Sequence, residues 1–329
     1  MSPFQTTSNK DAIREAWDHP ALHQYAITIG RRLSYFGMTG PEMLDVLTWR
    51  DDLSSWTSVE RAPANNKEER RKADRVAEEI LQTAFENNLD ADLELLRGEV
   101  EDIILEGIDI TGAPVPRSKG KRALDSNFLY DLYHLDFVGG LGYQRRGRKP
   151  KRLEALEKLF QRQSGQGFIL ILTINVRDTL REHVISYLHN LRSELGNEWD
   201  WYIERKEGEY EHQLKIAVPL FLKHHAEAAH FDCTFLPPIG YEGHEGAHLV
   251  HFVCLFRAMG TVFPTRSVQT RADVLALPLI KCAEGTLRLS SLQHPKFSLE
   301  RCREILVGCC EEIRAVLPNE TMQPSSACD

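Results

Sequence analysis

The sequence lacks several features that define well-known classes of protein. No run of about 18 uncharged apolar residues is present, and the N-terminus does not have the basic and then apolar layout of a secretion signal. The seven cysteines are scattered and include no Cys-x-x-Cys pair, which favours reduced thiols over a zinc or redox site. These absences predict a cytoplasmic protein that binds neither membrane nor metal.

The chain also has no excess of positive charge. The net charge is −8, which argues against a polycation that coats nucleic acid. No internal repeat of 20 to 50 residues is visible. With 329 residues and 42% hydrophobic composition, the chain can bury one large α/β core and carry a smaller appended region.

What the sequence does contain is a regular alternation of predicted strands and helices. A helix over residues 9–32 is followed by strands at 33–38, 56–59, 93–98, 130–137 and 168–176, with charged or amphipathic helices between them. The helix that follows the strand at 33–38 is expected to begin at Pro41. The strand at 168–176 is an almost continuous apolar run, typical of a strand covered on both faces. This alternation predicts a doubly wound, mainly parallel sheet with right-handed crossovers.

The pattern changes near the C-terminus. Two β-rich stretches, 230–239 and 248–257, are joined by a glycine-rich segment, which predicts an antiparallel β-hairpin. We therefore divide the chain into an N-terminal helical extension (1–32), an α/β domain (33–260) and a C-terminal mixed or helical extension (261–329). An amphipathic helix over 298–317 is expected to serve packing or homo-oligomerisation.

Five βα units closed by an antiparallel hairpin resemble the class I S-adenosylmethionine-dependent methyltransferases, of which this chain would be a divergent member. The resemblance implies a Rossmann-type domain that binds S-adenosylmethionine and transfers its methyl group. A nicotinamide-dependent oxidoreductase fits less well, because the Gly-x-Gly-x-x-Gly loop is missing and the last strands are predicted to be antiparallel. The alternative is a catalytically inactive Rossmann-type module that binds a nucleotide or acts as a scaffold.

The resemblance assigns five residues to cofactor binding. Gly37 and Gly40 match the glycine loop after the first strand, although the leading acid and one glycine of the family pattern are absent, and a plain structural turn is the alternative. Glu60, about 20 residues further on, matches the acid that accepts hydrogen bonds from the ribose; it could instead pair with its neighbour, an arginine. Glu99 or Asp102 matches the acid at the adenine edge, with surface charge as the alternative.

Two further residues are candidates for catalysis. Asp136 follows the fourth strand and is expected at the carboxyl edge of the sheet, where it could orient a nucleophile, act as a base or bind the amino group of the cofactor. A structural capping role is the alternative. Asn175, at the end of the fifth strand, could line the same pocket or cap the next helix.

Two basic clusters are predicted to flank this edge of the sheet. They span residues 117–122 and 145–152, and Arg145, Arg146, Arg148 and Lys149 are the candidate substrate-binding residues. Such loops could neutralise the phosphates of a nucleic acid or nucleotide, or they could simply be solvated. The segment His244 to His248 matches the zinc-protease pattern His-Glu-x-x-His, but its glycine-rich surroundings predict a hairpin loop instead of the required helix.

Overall fold

The computed structural model describes residues 8–61, 67–112, 129–137, 139–141, 150–163, 165–176, 210–236, 238–243, 246–259 and 287–288. Several predictions concern residues outside these ranges: the basic cluster 117–122, the residues 145–149 of the second cluster, His244, and the helix at 298–317. They stay predictions.

The strands of the described chain form one sheet of nine: β1 (Leu33–Gly37), β2 (Leu53–Glu60), β3 (Leu93–Arg97), β4 (Leu132–Phe137), β5 (Phe168–Asn175), β6 (Phe231–Phe235), β7 (Ile239–Glu242), β8 (His248–Ala258) and β9 (Leu287–Arg288). Their order is β3-β2-β1-β4-β5-β8-β7-β9, with β6 also paired to β8. The first five strands in this order are parallel to one another.

The C-terminal part of the sheet is an antiparallel hairpin whose first strand is interrupted. β6 pairs with the second half of β8 and β7 with its first half, so β6 and β7 are successive pieces of one strand that runs antiparallel to β8. β8 in turn pairs antiparallel with β5. The structure thus confirms the predicted fold class, a doubly wound, mainly parallel sheet with a C-terminal antiparallel hairpin.

Helices cover both faces of the sheet. They are α1 (Ser8–Ile13), α2 (His19–Ile29), α3 (Leu44–Trp49), α4 (Lys67–Glu86), α5 (Val100–Glu106), α6 (Lys151–Arg162) and α7 (Tyr210–Ala228). A π turn, Arg14–Asp18, joins α1 to α2. The helices up to α4 pack on one apolar cluster and α5 to α7 on the other. No described helix has the length and apolar character that a membrane span requires.

β5 shows why its sequence is almost continuously apolar. Its side chains alternate between the two clusters: Phe168, Leu170 and Leu172 pack with the helices of one face, and Ile169 and Ile171 with those of the other. A strand that is covered on both faces buries every side chain, so a polar and apolar alternation is not required.

The parallel strands reverse their winding direction between β1 and β4, which are neighbours in the sheet although β2 and β3 lie between them in sequence. In open α/β sheets such a switch point leaves a crevice at the carboxyl ends of the strands. One local prediction here was wrong. The helix after β1 begins at Leu44, three residues later than predicted, because Met43 has a left-handed backbone with φ of 46°.

Candidate functional site

The loop after β1 is held closely against β4. The Met38 N–H donates a hydrogen bond of 3.3 Å to the carbonyl oxygen of His134. A Cβ at Gly37 would lie 2.5 Å from that same oxygen and 2.6 Å from the hydroxyl of Tyr35, so only glycine fits. Gly40 has φ of 65°, a left-handed conformation that glycine adopts readily. The two glycines therefore let the chain turn sharply over the carboxyl end of β1.

Glu60 lies at the predicted place, as the last residue of β2, and is only 8% exposed. Burial raises the pKa of its carboxyl group to about 7, although the charge of Arg97, the backbone N–H of Arg61 and the charge of Arg61 oppose the rise. The carboxylate form is therefore incompletely stabilised by the protein itself. A ligand that donates hydrogen bonds to this carboxylate would stabilise it, and two adjacent hydroxyl groups are suitable donors.

The two candidates for the adenine edge form ion pairs with neighbouring elements. Glu99 precedes α5, and its Oε1 lies 3.2 Å from Nε of Arg61. Asp102 is in the first turn of α5 and pairs with Lys151 at the start of α6.

A buried ion pair that the sequence did not reveal lies beside them. Nε of Arg152 donates a 2.6 Å hydrogen bond to Glu101, and its Nη1 donates one of 2.7 Å to the carbonyl oxygen of Gly140. The guanidinium also lies 4.5 Å from the ring centroid of Phe137, at the end of β4. Two members of the second basic cluster, Lys151 and Arg152, thus hold α6 against α5. Their sequence signal was a basic run, which does not distinguish this role from phosphate binding.

Asp136 lies near the carboxyl end of β4, as predicted, and it forms an ion pair with a residue of α1. Nζ of Lys10, in α1, lies 2.6 Å from Oδ2 of Asp136. The two side chains are 32% and 29% exposed, so the pair is accessible to small solutes. Asn175, the other catalytic candidate, ends β5 half-buried and is paired in register with Leu249 of β8.

Behind this pair lies a buried polar group that involves the π turn, β4 and α3. Asp45 accepts a hydrogen bond of 2.5 Å from Nε of Arg14, and its Oδ2 lies 3.2 Å from Nδ1 of His134. Burial alone would raise the pKa of Asp45, but the charges of His134 and Arg14 and their hydrogen bonds hold it well below its usual range. The opposite holds for His134. Burial lowers its pKa, but the charge and the hydrogen bond of Asp45 raise it by more, so the pKa of His134 lies above its ordinary value.

A second buried polar group joins the π turn to β8 and β5. Nε2 of His251 lies 2.8 Å from Oδ1 of Asp18, and its Nδ1 lies 2.9 Å from the hydroxyl of Thr173. A carboxylate only accepts hydrogen bonds, so His251 donates from Nε2. Among the described residues, no group of three or more His, Cys, Asp and Glu side chains could hold a metal ion. His248 begins β8, so the second histidine of the His-Glu-x-x-His pattern lies on a strand and not on a helix.

No protein-family model and no curated protein matches the chain. Among solved structures, the O-methyltransferase TomG from Streptomyces achromogenes, in complex with S-adenosylmethionine, is 12% identical, with 78% of this chain and 93% of that chain covered and a TM-score of 0.38. An O-methyltransferase from Bacillus cereus in complex with S-adenosylhomocysteine is 13% identical, covering 78% and 94%, with a TM-score of 0.36. A precorrin 8w decarboxylase from Methanobacterium thermoautotrophicum is 13% identical, covering 71% and 88%, with a TM-score of 0.29. Similarities at this level are too low to transfer an activity.

Proposed function

We propose that this protein binds S-adenosylmethionine and transfers its methyl group to an acceptor. The observation that carries the proposal is the position and state of Glu60. It is a buried carboxyl group with a pKa raised to about 7, at the end of β2 in a doubly wound sheet with a C-terminal hairpin. A carboxylate at this position is suited to accept hydrogen bonds from both hydroxyl groups of a ribose.

The residues around the switch point fit this cofactor in two further respects. The turn that contains Gly37 and Gly40 lies at the carboxyl end of β1, where the methionyl part would lie. Asp136 lies near the end of the neighbouring strand and is accessible, so it can accept a proton from an acceptor group. When bound, the cofactor supplies an electrophilic methyl group.

Calorimetry on the full chain tests cofactor binding. We expect S-adenosylmethionine and S-adenosylhomocysteine to bind, and Glu60→Gln to weaken both by roughly tenfold or more, because a charged acceptor is replaced by a neutral one. Glu86→Gln is the matched control, because Glu86 is an exposed carboxylate at the end of α4. Absence of heat with either compound at saturation would contradict the proposal.

Transfer is tested separately, by incubating the protein with labelled S-adenosylmethionine and pooled acceptors. We expect label to enter an acceptor at a rate that Asp136→Asn reduces about 100-fold, the scale of a missing general base. Binding without transfer to any acceptor would instead support the catalytically inactive alternative.

A nucleic acid or nucleotide is the acceptor class that the two basic clusters favour. Within the second cluster, Lys151 and Arg152 bind Asp102 and Glu101, so we assign the phosphate contacts to Arg145, Arg146, Arg148 and Lys149. Changing those four residues to glutamine should lower retention of RNA and DNA and reduce its dependence on salt. An unchanged salt dependence would remove this acceptor class.

A further inference from the structure

Three charged residues form a stripe along the first helical segment (residues 8–29). Lys10, Arg14 and Asp18 are each four residues apart. In an α-helix four residues advance about 40° beyond one full turn, so two such steps would separate Lys10 from Asp18 by about 80°. The π turn at Arg14–Asp18 contains more residues per turn and removes part of this rotation. The three side chains can therefore all face the sheet.

The three members of the stripe differ in exposure. Arg14 and its partner Asp45 are 11% and 12% exposed, and Asp18 and His251 are each 4% exposed. Lys10 and Asp136, in contrast, are 32% and 29% exposed. The Arg14–Asp45 and Asp18–His251 contacts hold the helical segment in place. Of the three contacts, only Lys10–Asp136 can be reached by another molecule.

The start of α1 is also fixed. Nδ2 of Asn9 donates a hydrogen bond of 2.8 Å to the carbonyl oxygen of Glu242 in β7. With Asn9 bound to the edge of the hairpin and Arg14 bound one turn later, the backbone of Lys10 has little freedom. The fold thus holds the backbone of Lys10 where its ammonium group reaches the carboxyl end of β4.

We propose that Lys10 and Asp136 together bind the acceptor group, and that this group is a hydroxyl. The inference rests on the proposed function. An ammonium group has three N–H donors and a carboxylate has two oxygen atoms, so the pair can bind a hydroxyl without separating. The hydroxyl accepts a hydrogen bond from Nζ of Lys10 and donates one to Asp136. Lys10 is therefore an acceptor-binding residue that the sequence did not single out.

The proposed transfer balances as follows. The acceptor O–H bond breaks and its proton moves to Asp136, while the oxygen forms a bond to the methyl carbon. The bond between that carbon and the sulfonium sulfur breaks, and the sulfur keeps the electron pair as a neutral thioether. Lys10 stabilises the negative charge that develops on the oxygen. A neutral amine would instead develop positive charge on its nitrogen as it attacks the methyl carbon, which the nearby ammonium of Lys10 opposes, so Lys10 favours hydroxyl over amine acceptors.

The acceptor hydroxyl could belong to a small phenol or to the ribose of RNA, and the experiment distinguishes these sources. The full chain is incubated with labelled S-adenosylmethionine and, separately, with pooled phenols, with RNA and with pooled primary amines. Mass spectrometry then locates the methyl group. We expect O-methyl products from phenols or from RNA ribose. Label on amines or on base nitrogens, or no label in any pool although the cofactor binds, would overturn the inference.

Variants test the role of Lys10 directly. Lys10→Met should raise the KM for the acceptor and lower kcat/KM about tenfold or more, while the Kd for S-adenosylmethionine is unchanged. Lys10→Arg should restore part of the loss. Lys72→Met is the matched control, because Lys72 forms an exposed ion pair with Glu68 on α4. Equal loss of cofactor and acceptor affinity, or no loss at all, would contradict the role. Failure of cofactor binding in the unchanged protein would instead contradict the proposed function.

Discussion

Nε2 of His251 donates a hydrogen bond of 2.8 Å to Oδ1 of Asp18, across 233 residues of sequence. Both side chains are buried, and the other nitrogen of the ring lies 2.9 Å from the hydroxyl of Thr173. The π turn is thereby connected to β8 and β5. This contact keeps the first helical segment on the sheet and keeps Lys10 beside Asp136.

Asp18→Ala should destabilise the protein by about 2 to 4 kcal/mol, because it leaves buried His251 without its acceptor. Denaturant unfolding followed by circular dichroism measures this change. The matched control is Asp232→Ala, whose ion pair with Arg257 at 3.6 Å is exposed and should cost at most about 0.5 kcal/mol. Similar small losses in both variants would show that the Asp18–His251 contact is not important for stability.

Gly37→Ala should be much more destabilising than Gly30→Ala. At Gly37 the new Cβ would lie 2.5 Å from a backbone oxygen, a clash that only movement of β1 or β4 can relieve, and we expect a loss of about 2 to 4 kcal/mol. At Gly30 no atom lies within 4 Å of the new Cβ, and the left-handed φ of 69° costs about 1 kcal/mol. Thermal melting of the two variants gives the comparison, and the reverse order would contradict it.

Glu60→Gln should stabilise the unliganded protein at high pH. The folded-state pKa of Glu60 is raised from 4.5 to about 7, so its contribution to stability is fully present below pH 4.5 and is lost as the pH rises through about 7. The neutral amide does not undergo this loss. At pH 8 the variant should be more stable than the unchanged protein by up to about 3 kcal/mol, and the gain should disappear near pH 5. Melting temperatures of both proteins, measured between pH 5 and pH 8, test this prediction. A gain in stability that does not depend on pH would contradict it.

Cofactor affinity should depend on the same ionisation. Hydroxyl donors favour ionised Glu60, so S-adenosylmethionine should bind more tightly as the pH rises, by up to about tenfold per pH unit below about 7, with a plateau above it. Calorimetry at several pH values measures the slope. Glu60→Gln should remove the slope, and the same slope in the variant would assign it to another group.

Asp45→Asn should destabilise the protein most in mildly acidic solution. Because the pKa of Asp45 is lowered in the folded protein, its ionised form stabilises the fold above a pH of about 4, and this stabilisation is lost as the pH falls. Because the pKa of His134 is raised, its protonated form stabilises the fold below a pH of about 6.5, and this stabilisation is lost as the pH rises. Their pairing therefore contributes most between these values. The pKa of His134, followed by NMR, should fall in the variant. An unchanged His134 titration would show that the two side chains are not coupled.

Parts of the fold and of the site were predictable because they depend on local patterns. The apolar run of β5 indicated a strand covered on both faces, and it is one. Glu60 was placed at the end of β2 because a strand boundary is visible in a few neighbouring residues. The start of α3 was predicted wrongly, since the left-handed backbone of Met43 has no strong signal in the sequence.

The sequence by itself determined the alternation of strands and helices, the closing hairpin and the acids at the strand ends, because these follow from hydrophobic periodicity over short windows. Only the tertiary structure decided which charges meet. Lys10 and Asp136 are 126 residues apart, and Arg152 and Glu101 are 51 apart. The order of strands in the sheet brings such residues together, and periodicity does not encode that order. For this reason the partner of Asp136, and with it the proposed acceptor site, could be found only in the folded chain.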